Sequence, residues 1–172
     1  MFIAIDGYNF IKQSPELRRL EQLELQKARE GLIEQLAQYK RFKGHSITVV
    51  FDGRQAGSLA GHRERSKGIE MIFSRPGEKA DDVLKRLAVE RKEGITVVTS
   101  DREVALFAEK KGATAIAVSD FAEKMEMARF YALKGGERET AVSDRPIAPA
   151  KKGPAHRLSK AQRRAASKAK KL

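Results

Sequence analysis

The sequence predicts an α/β fold: an open, largely parallel sheet of about five strands with helices laid on its faces. Two observations lead there. Five short apolar runs, Phe2–Ile5, Ile47–Phe51, Ile69–Phe73, Ile95–Thr99 and Ala115–Val118, are spaced by stretches with helical periodicity. Four of these runs are rich in Ile or Val and do not alternate cleanly with polar residues, which suits strands covered on both faces.

The elements follow in order. Between the first two strands the spacing predicts one long helix from about Pro15 to Lys43, with Leu25, Ala28, Leu32, Leu36 and Tyr39 on one face and Lys43-Gly44 as its end. The segment "GRQAGSLAGHRERSKG" (Gly53 to Gly68) has no periodicity and is expected to be a long, basic, mobile loop. The strand Ile69–Phe73 is expected at a sheet edge, in either direction. A second helix begins near Ala80 and turns Val83, Leu84, Leu87 and Val89 inward before Gly94. A third runs from Asp101 to Lys111, with Val104, Ala105 and Ala108 inward and Gly112 as the stop. A fourth follows "VSDFAEKMEMARFYAL", with Ser119 or Asp120 as its N-cap. After about Gly135 the pattern gives way to Gly, Pro, Ala and Lys, so a domain over 1–134 and a disordered basic tail over 135–172 are expected.

Composition narrows the function. The chain of 172 residues has no cysteine, which removes disulfides, thiolate metal sites and thiol nucleophiles. No apolar stretch approaches ~18 residues and no basic leader precedes an apolar run, so a cytoplasmic protein with no membrane partner is expected. The net charge of +12 is unevenly placed: Lys151 to Leu172 hold nine basic residues and no acid, leaving 26 basic against 23 acidic groups, or +3, in the rest. A basic tail on a nearly balanced body points to a polyanionic partner, nucleic acid before membrane.

The chemistry lies in the acids. Asp6 follows the first strand, Asp52 the second, and Asp101 the fourth after one serine. In an open α/β sheet ligands bind at the carboxyl ends of the strands, so parallel neighbours would bring these carboxylates to one rim. "GEKADDVLKRL" adds Asp81 and Asp82 at a helix start, where one acid serves the helix terminus and the second is not needed for it. Each aspartate alone reads as a cap or a turn former. Together they form an all-oxygen set whose mutual repulsion a hard divalent ion, Mg²⁺ or Mn²⁺, would relieve. Asn9 would order the loop or orient water or phosphate. His45, His62 and His156 have no partner at metal-ligand spacing. No G-x-G-x-x-G follows the first strand, and there is no G-x-x-x-x-G-K-[ST], no G-x-S-x-G and no Asp-x-Asp after the first strand.

Four motifs in this order, "AIDGYNFI", "ITVVFDG", "GIEMIFSRPGEKADDVL" and "ITVVTSDREV", resemble the NYN domain of the PIN-like nuclease superfamily, in its YacP-like bacterial branch, over about residues 1–133. The resemblance implies a PIN-like three-layer α/β/α fold, dependence on a divalent metal, and endoribonuclease activity, with mRNA cleavage linked to the ribosome. Matched onto this chain, Asp6, Asn9, Asp81 or Asp82, and Asp101 fall on the catalytic positions, and Asp52 on the "FDG" acid. The expected metal set is Asp6, Asp81 and Asp101, with Asp52 and Asp82 completing or supporting the shell. Because an acid cluster repels RNA, basic groups must draw the substrate in, and Arg54, Arg63, Arg65, Lys67, Lys79, Arg102 and the tail are the candidates. Two other readings stand beside this one: a noncatalytic RNA- or ribosome-binding module with a structural acid cluster, and a DNA or flap-type nuclease.

Overall fold

The computed structural model describes residues 1–54 and 61–134; the tail expected to be disordered lies outside them. Its elements are β1 (Phe2–Asp6), α1 (Gly7–Gln13), α2 (Pro15–Leu23), α3 (Leu25–Lys43), β2 (Ser46–Phe51), β3 (Arg63–Ser66), β4 (Ile69–Phe73), α4 (Ala80–Arg91), β5 (Ile95–Val98), α5 (Arg102–Lys110), β6 (Thr114–Ile116) and α6 (Val118–Lys134). The sheet has six strands in the order β3-β4-β2-β1-β5-β6. All neighbours are parallel except β3 and β4.

Alternation along the strands divides the core in two. Ile3 and Ile5 of β1, with Val49, Phe51 and Met71, meet α1, α2, α3 and α6 on one face. Ala4, Val50, Ile72 and Val97 meet α4 and α5 on the other. This is the expected three-layer α/β/α arrangement.

The single helix expected from Pro15 to Lys43 is two helices, preceded by a third that the periodicity did not indicate. Pro15 disfavours helical geometry at Ser14, whose φ of −89° and ψ of 116° end α1. Ser14 Oγ then accepts from Leu17 N and caps α2, with Pro15 in the first turn. Glu24, extended at φ −164°, turns the chain again. The corner lets α2 fold back on α3, and the missing side chain at Gly31 admits Leu17 and Leu20 at close range.

The segment expected to be a loop up to Gly68 contains β3. Lys67 and Gly68, at φ 51° and 80°, form a two-residue turn that pairs Ser66 with Ile69. The antiparallel edge strand is therefore β3. β4 is an interior strand, parallel to β2. Three smaller expectations also shift. Val89 faces solvent while Ala88 is buried, the last strand is Thr114–Ile116, and α6 starts at Val118, ahead of Ser119 and Asp120.

Candidate active site

The chain leaves β1 for β2 and β4 on one side, then returns past β1 to β5 and β6 on the other. The strand order reverses between β1 and β5, so by the rule for open α/β sheets the ligand crevice falls outside their carboxyl ends. The starts of α1 and α5 follow these two strands directly, and α4 enters from β4 and packs against β1 and β5.

Asp6 is the last residue of β1 and the N-cap of α1. Its Oδ1 accepts from Asn9 N at 3.1 Å. The residue is only 7% exposed. Burial pushes its carboxyl up from 3.8 to about 6; hydrogen bonds from Asn9 oppose the rise, and the charges of Asp81 and Asp101 add to it. Asp101 caps α5, with Oδ1 accepting from Glu103 N at 2.7 Å and Val104 N at 3.1 Å, which leaves Oδ2 for a ligand. Asp81, in the first turn of α4, is also raised, first by burial and next by Asp101; Lys85, one helical turn on, pulls the other way. Three carboxylates from three elements thus share one electrostatic environment.

The other expected residues divide. Asp82 Oδ2 accepts from Lys79 N at 3.0 Å and closes the start of α4, so the helix takes Asp82 as its cap and presents Asp81 to its acidic neighbours. Asp52 Oδ1 accepts from Arg54 N at 2.9 Å in a turn, and its charge acts on Tyr8. The cations Arg54, Arg63, Arg65, Lys67, Lys79 and Arg102 are all exposed but do not gather. Arg63 pairs in register with Ile72 near the carboxyl rim. Lys67 lies at the opposite end of the hairpin, bonded to Glu34.

A relay of polar side chains spans the site, and of its members only Gln13 lies outside the four motifs. Asn9 Nδ2 donates to Thr99 Oγ1 at 3.5 Å, Gln13 Nε2 donates to Asn9 Oδ1, and Ser100 Oγ donates to Gln13 Oε1 at 3.0 Å. Thr99 Oγ1 in turn accepts from Asp101 N at 3.1 Å. This relay ties the α1 side of the crevice to the β5 side. Gln13 lies one turn after Asn9 in a helix of seven residues, too short to stand out as periodicity. Lys85, paired with Glu103, is a basic residue next to the acids that no spacing in the sequence singles out.

A family model described as "YacP-like NYN domain" matches residues 3–171. The chain belongs to the YacP-like NYN family, a branch of the PIN-like nucleases. The match continues well past the residues 1–133 on which the motifs lie. YacP of Bacillus subtilis (strain 168) is 33% identical over 86 residues, half of each chain. A crystal structure of a variant of Rae1 (YacP) from Bacillus subtilis superposes with a TM-score of 0.67 at 26% identity, covering 77% of this chain and 79% of that one. A second structure of Rae1 (YacP) gives 0.62 at 27%, covering 79% of each. Among the described residues no helix is long and apolar enough to cross a membrane.

Proposed function

We propose that this chain is a divalent-metal-dependent endoribonuclease that cleaves RNA phosphodiester bonds, with mRNA in a ribosome-linked setting as substrate. The observation that carries the reading is the electrostatic coupling of Asp6, Asp81 and Asp101 at the switch-point crevice of a chain in an NYN nuclease family.

The donor set fits Mg²⁺ or Mn²⁺. It is all oxygen, and Asp6 and Asp81, both raised from the ordinary carboxylate value by burial and by acidic neighbours, gain most from a nearby positive charge. Among the described residues no three acidic or histidine side chains stand close enough together to hold a metal ion by themselves. Mg²⁺ suits such a site, because it keeps several waters and takes only one or two carboxylates beside substrate phosphate. When bound, the ion supplies an activated water and charge stabilisation at the leaving oxygen. Asp6, Asp81 and Asp101 would hold it, directly or through its waters, and Asn9, oriented by Gln13 and Thr99, would steady water or phosphate. Without a cation Asp6 keeps its proton up to about pH 6, so proton and metal compete for the same oxygens and metal affinity falls below that pH.

The test is incubation of the full chain with end-labelled mRNA, free and on translating ribosomes, in Mn²⁺, Mg²⁺ or EDTA, with a matched DNA strand as competitor. Cleavage of RNA that needs the metal and resists the DNA competitor is expected. RNA binding with no cleavage on either substrate would establish the noncatalytic module instead.

A further inference from the structure

A cation stands beside the acids. Lys85 lies one helical turn after Asp81 on α4, and its Nζ is bonded to Glu103 Oε1 in the first turn of α5. We propose that Lys85 holds a nonbridging oxygen of the scissile RNA phosphate, exchanging Glu103 for the substrate as the strand binds; this rests on the nuclease reading above.

The position of Lys85 is set from both helices. Asp81 is one turn back on its own helix, and on the other helix Asp101 is two residues before its partner. Glu103 N donates to Asp101 Oδ1 at 2.7 Å, so the residue that receives the ammonium also fixes the second acid. Phe107, one turn beyond Glu103, faces the same ammonium, with 5.7 Å from Nζ to the ring centroid. The charge of Lys85 acts on Asp81 more strongly than that of Lys79, which is exposed at the N-cap of α4. In return the bond to Glu103, and then the charges of Glu103, Asp81 and Asp82, raise the pKa of the Lys85 ammonium against its desolvation.

Charge balance gives this cation a task. Three ionised carboxylates outweigh one divalent ion by one negative charge, and a phosphodiester brings another of the same sign. A positive group beside the ion offsets that repulsion and is well placed for charge that develops on the phosphate. Lysine suits a single phosphate oxygen, as a compact point charge on a flexible stem. Its present partner also lets go readily. The Glu103 side chain is 82% exposed against 23% for Lys85, and an ion pair with so exposed an acid is worth little. A phosphate drawn in by the metal therefore displaces Glu103 at small cost.

The experiment compares the full chain with Lys85→Met, which keeps the stem and removes the charge, and Glu103→Gln, which breaks the ion pair and keeps the lysine. Labelled single-stranded RNA of mixed sequence is mixed with each in Mn²⁺. Stopped-flow anisotropy reads binding before turnover, cleavage is followed in the same samples, and electron paramagnetic resonance reads Mn²⁺ binding without RNA. Lys85→Met is expected to bind RNA about tenfold more weakly, with a log-salt slope shallower by about 0.7. The same variant is expected to bind Mn²⁺ about threefold more tightly, because a like charge has left Asp81. Glu103→Gln is expected to bind RNA at least as tightly as the wild-type chain. Wild-type RNA affinity and slope in Lys85→Met would overturn the assignment. So would equal losses of RNA and Mn²⁺ binding in both variants, the mark of a bridge that only ties α4 to α5. Wild-type cleavage with unaltered RNA binding in Lys85→Met keeps the nuclease reading and removes Lys85 from it. The expected binding pattern with no cleavage by the wild-type chain removes the nuclease reading and keeps the phosphate contact.

Discussion

Asp6 serves the fold and the crevice with opposite demands. As the N-cap of α1 it must accept from Asn9 N, which an asparagine also does well. As a buried carboxylate near two others it destabilises the folded state once ionised, because folding raises its pKa from 3.8 to about 6. The sign follows from proton counting. Between these values the folded Asp6 binds more protons than the unfolded one, so its contribution to stability is greatest below about pH 4 and is lost as pH rises through 6. The full penalty is roughly 3 kcal/mol, taking 1.36 kcal/mol per pKa unit. In metal-free buffer at pH 7.5, Asp6→Asn should therefore melt at or above the wild-type temperature, and its melting temperature should lose the wild-type fall between pH 4 and 7. Calorimetric melts across that range read both effects. A destabilised variant at pH 7.5 would mean that Asp6 is structural. Added Mn²⁺ should raise the wild-type midpoint at pH 7.5 and do so far less at pH 5, where protons hold the oxygens. The convergence of Asp6 and Asp101 could be read from their places after apolar strands. The division between Asp81 and Asp82 could not, since adjacent helix residues differ only in direction, and that direction emerges from the bond between Asp82 and Lys79 N.

At the scale of elements, α1 is the piece that aims the site, and it enters against β2 with no room to spare. A methyl group on Gly7 would overlap the Phe51 ring. Gly7→Ala should cost roughly 1–3 kcal/mol by overpacking and should lower cleavage by shifting the turn that carries Asp6; urea melts and initial rates measure the two together. A variant with both unchanged would show that the turn absorbs the methyl. Five of the six strands and the helices α4, α5 and α6 were legible because Ile and Val runs and the 3.6-residue spacing of Val83, Leu84 and Leu87 are local signals. Three features were not. α1 is only seven residues long, the corner at Glu24 carries neither Gly nor Pro, and β3 is so polar, Arg-Glu-Arg-Ser, that only its turn with Lys67 and Gly68 betrays it. The relay through Gln13, Asn9 and Ser100 depends on α1 lying beside the β5 loop, a contact across 87 residues of sequence that no local pattern holds.

For the whole molecule, charge and topology divide the labour. The acids gather where the strand order reverses, whereas the cations are spread over the body and are densest along the sequence from Lys151 to Leu172. Phosphate contacts from such groups give affinity that falls with salt and carries little sequence choice. Deleting residues 151–172 should weaken RNA binding and flatten the plot of log affinity against log salt, by roughly 0.7 for each single-strand phosphate that the tail no longer neutralises. An unchanged slope would place binding on the body alone. On the proposed function Asp6, at the end of β1, and Asp101, at the start of α5, act as one unit on the scissile phosphate. The most direct test of this claim is the single-turnover rate of RNA cleavage in Mn²⁺ for the wild-type chain, Asp6→Asn, Asp101→Asn and the double variant. Each single substitution should lower the rate at least about 100-fold, and the double should be little slower than either, as groups that work as a unit behave. Folded single variants that cleave at the wild-type rate would contradict the claim outright.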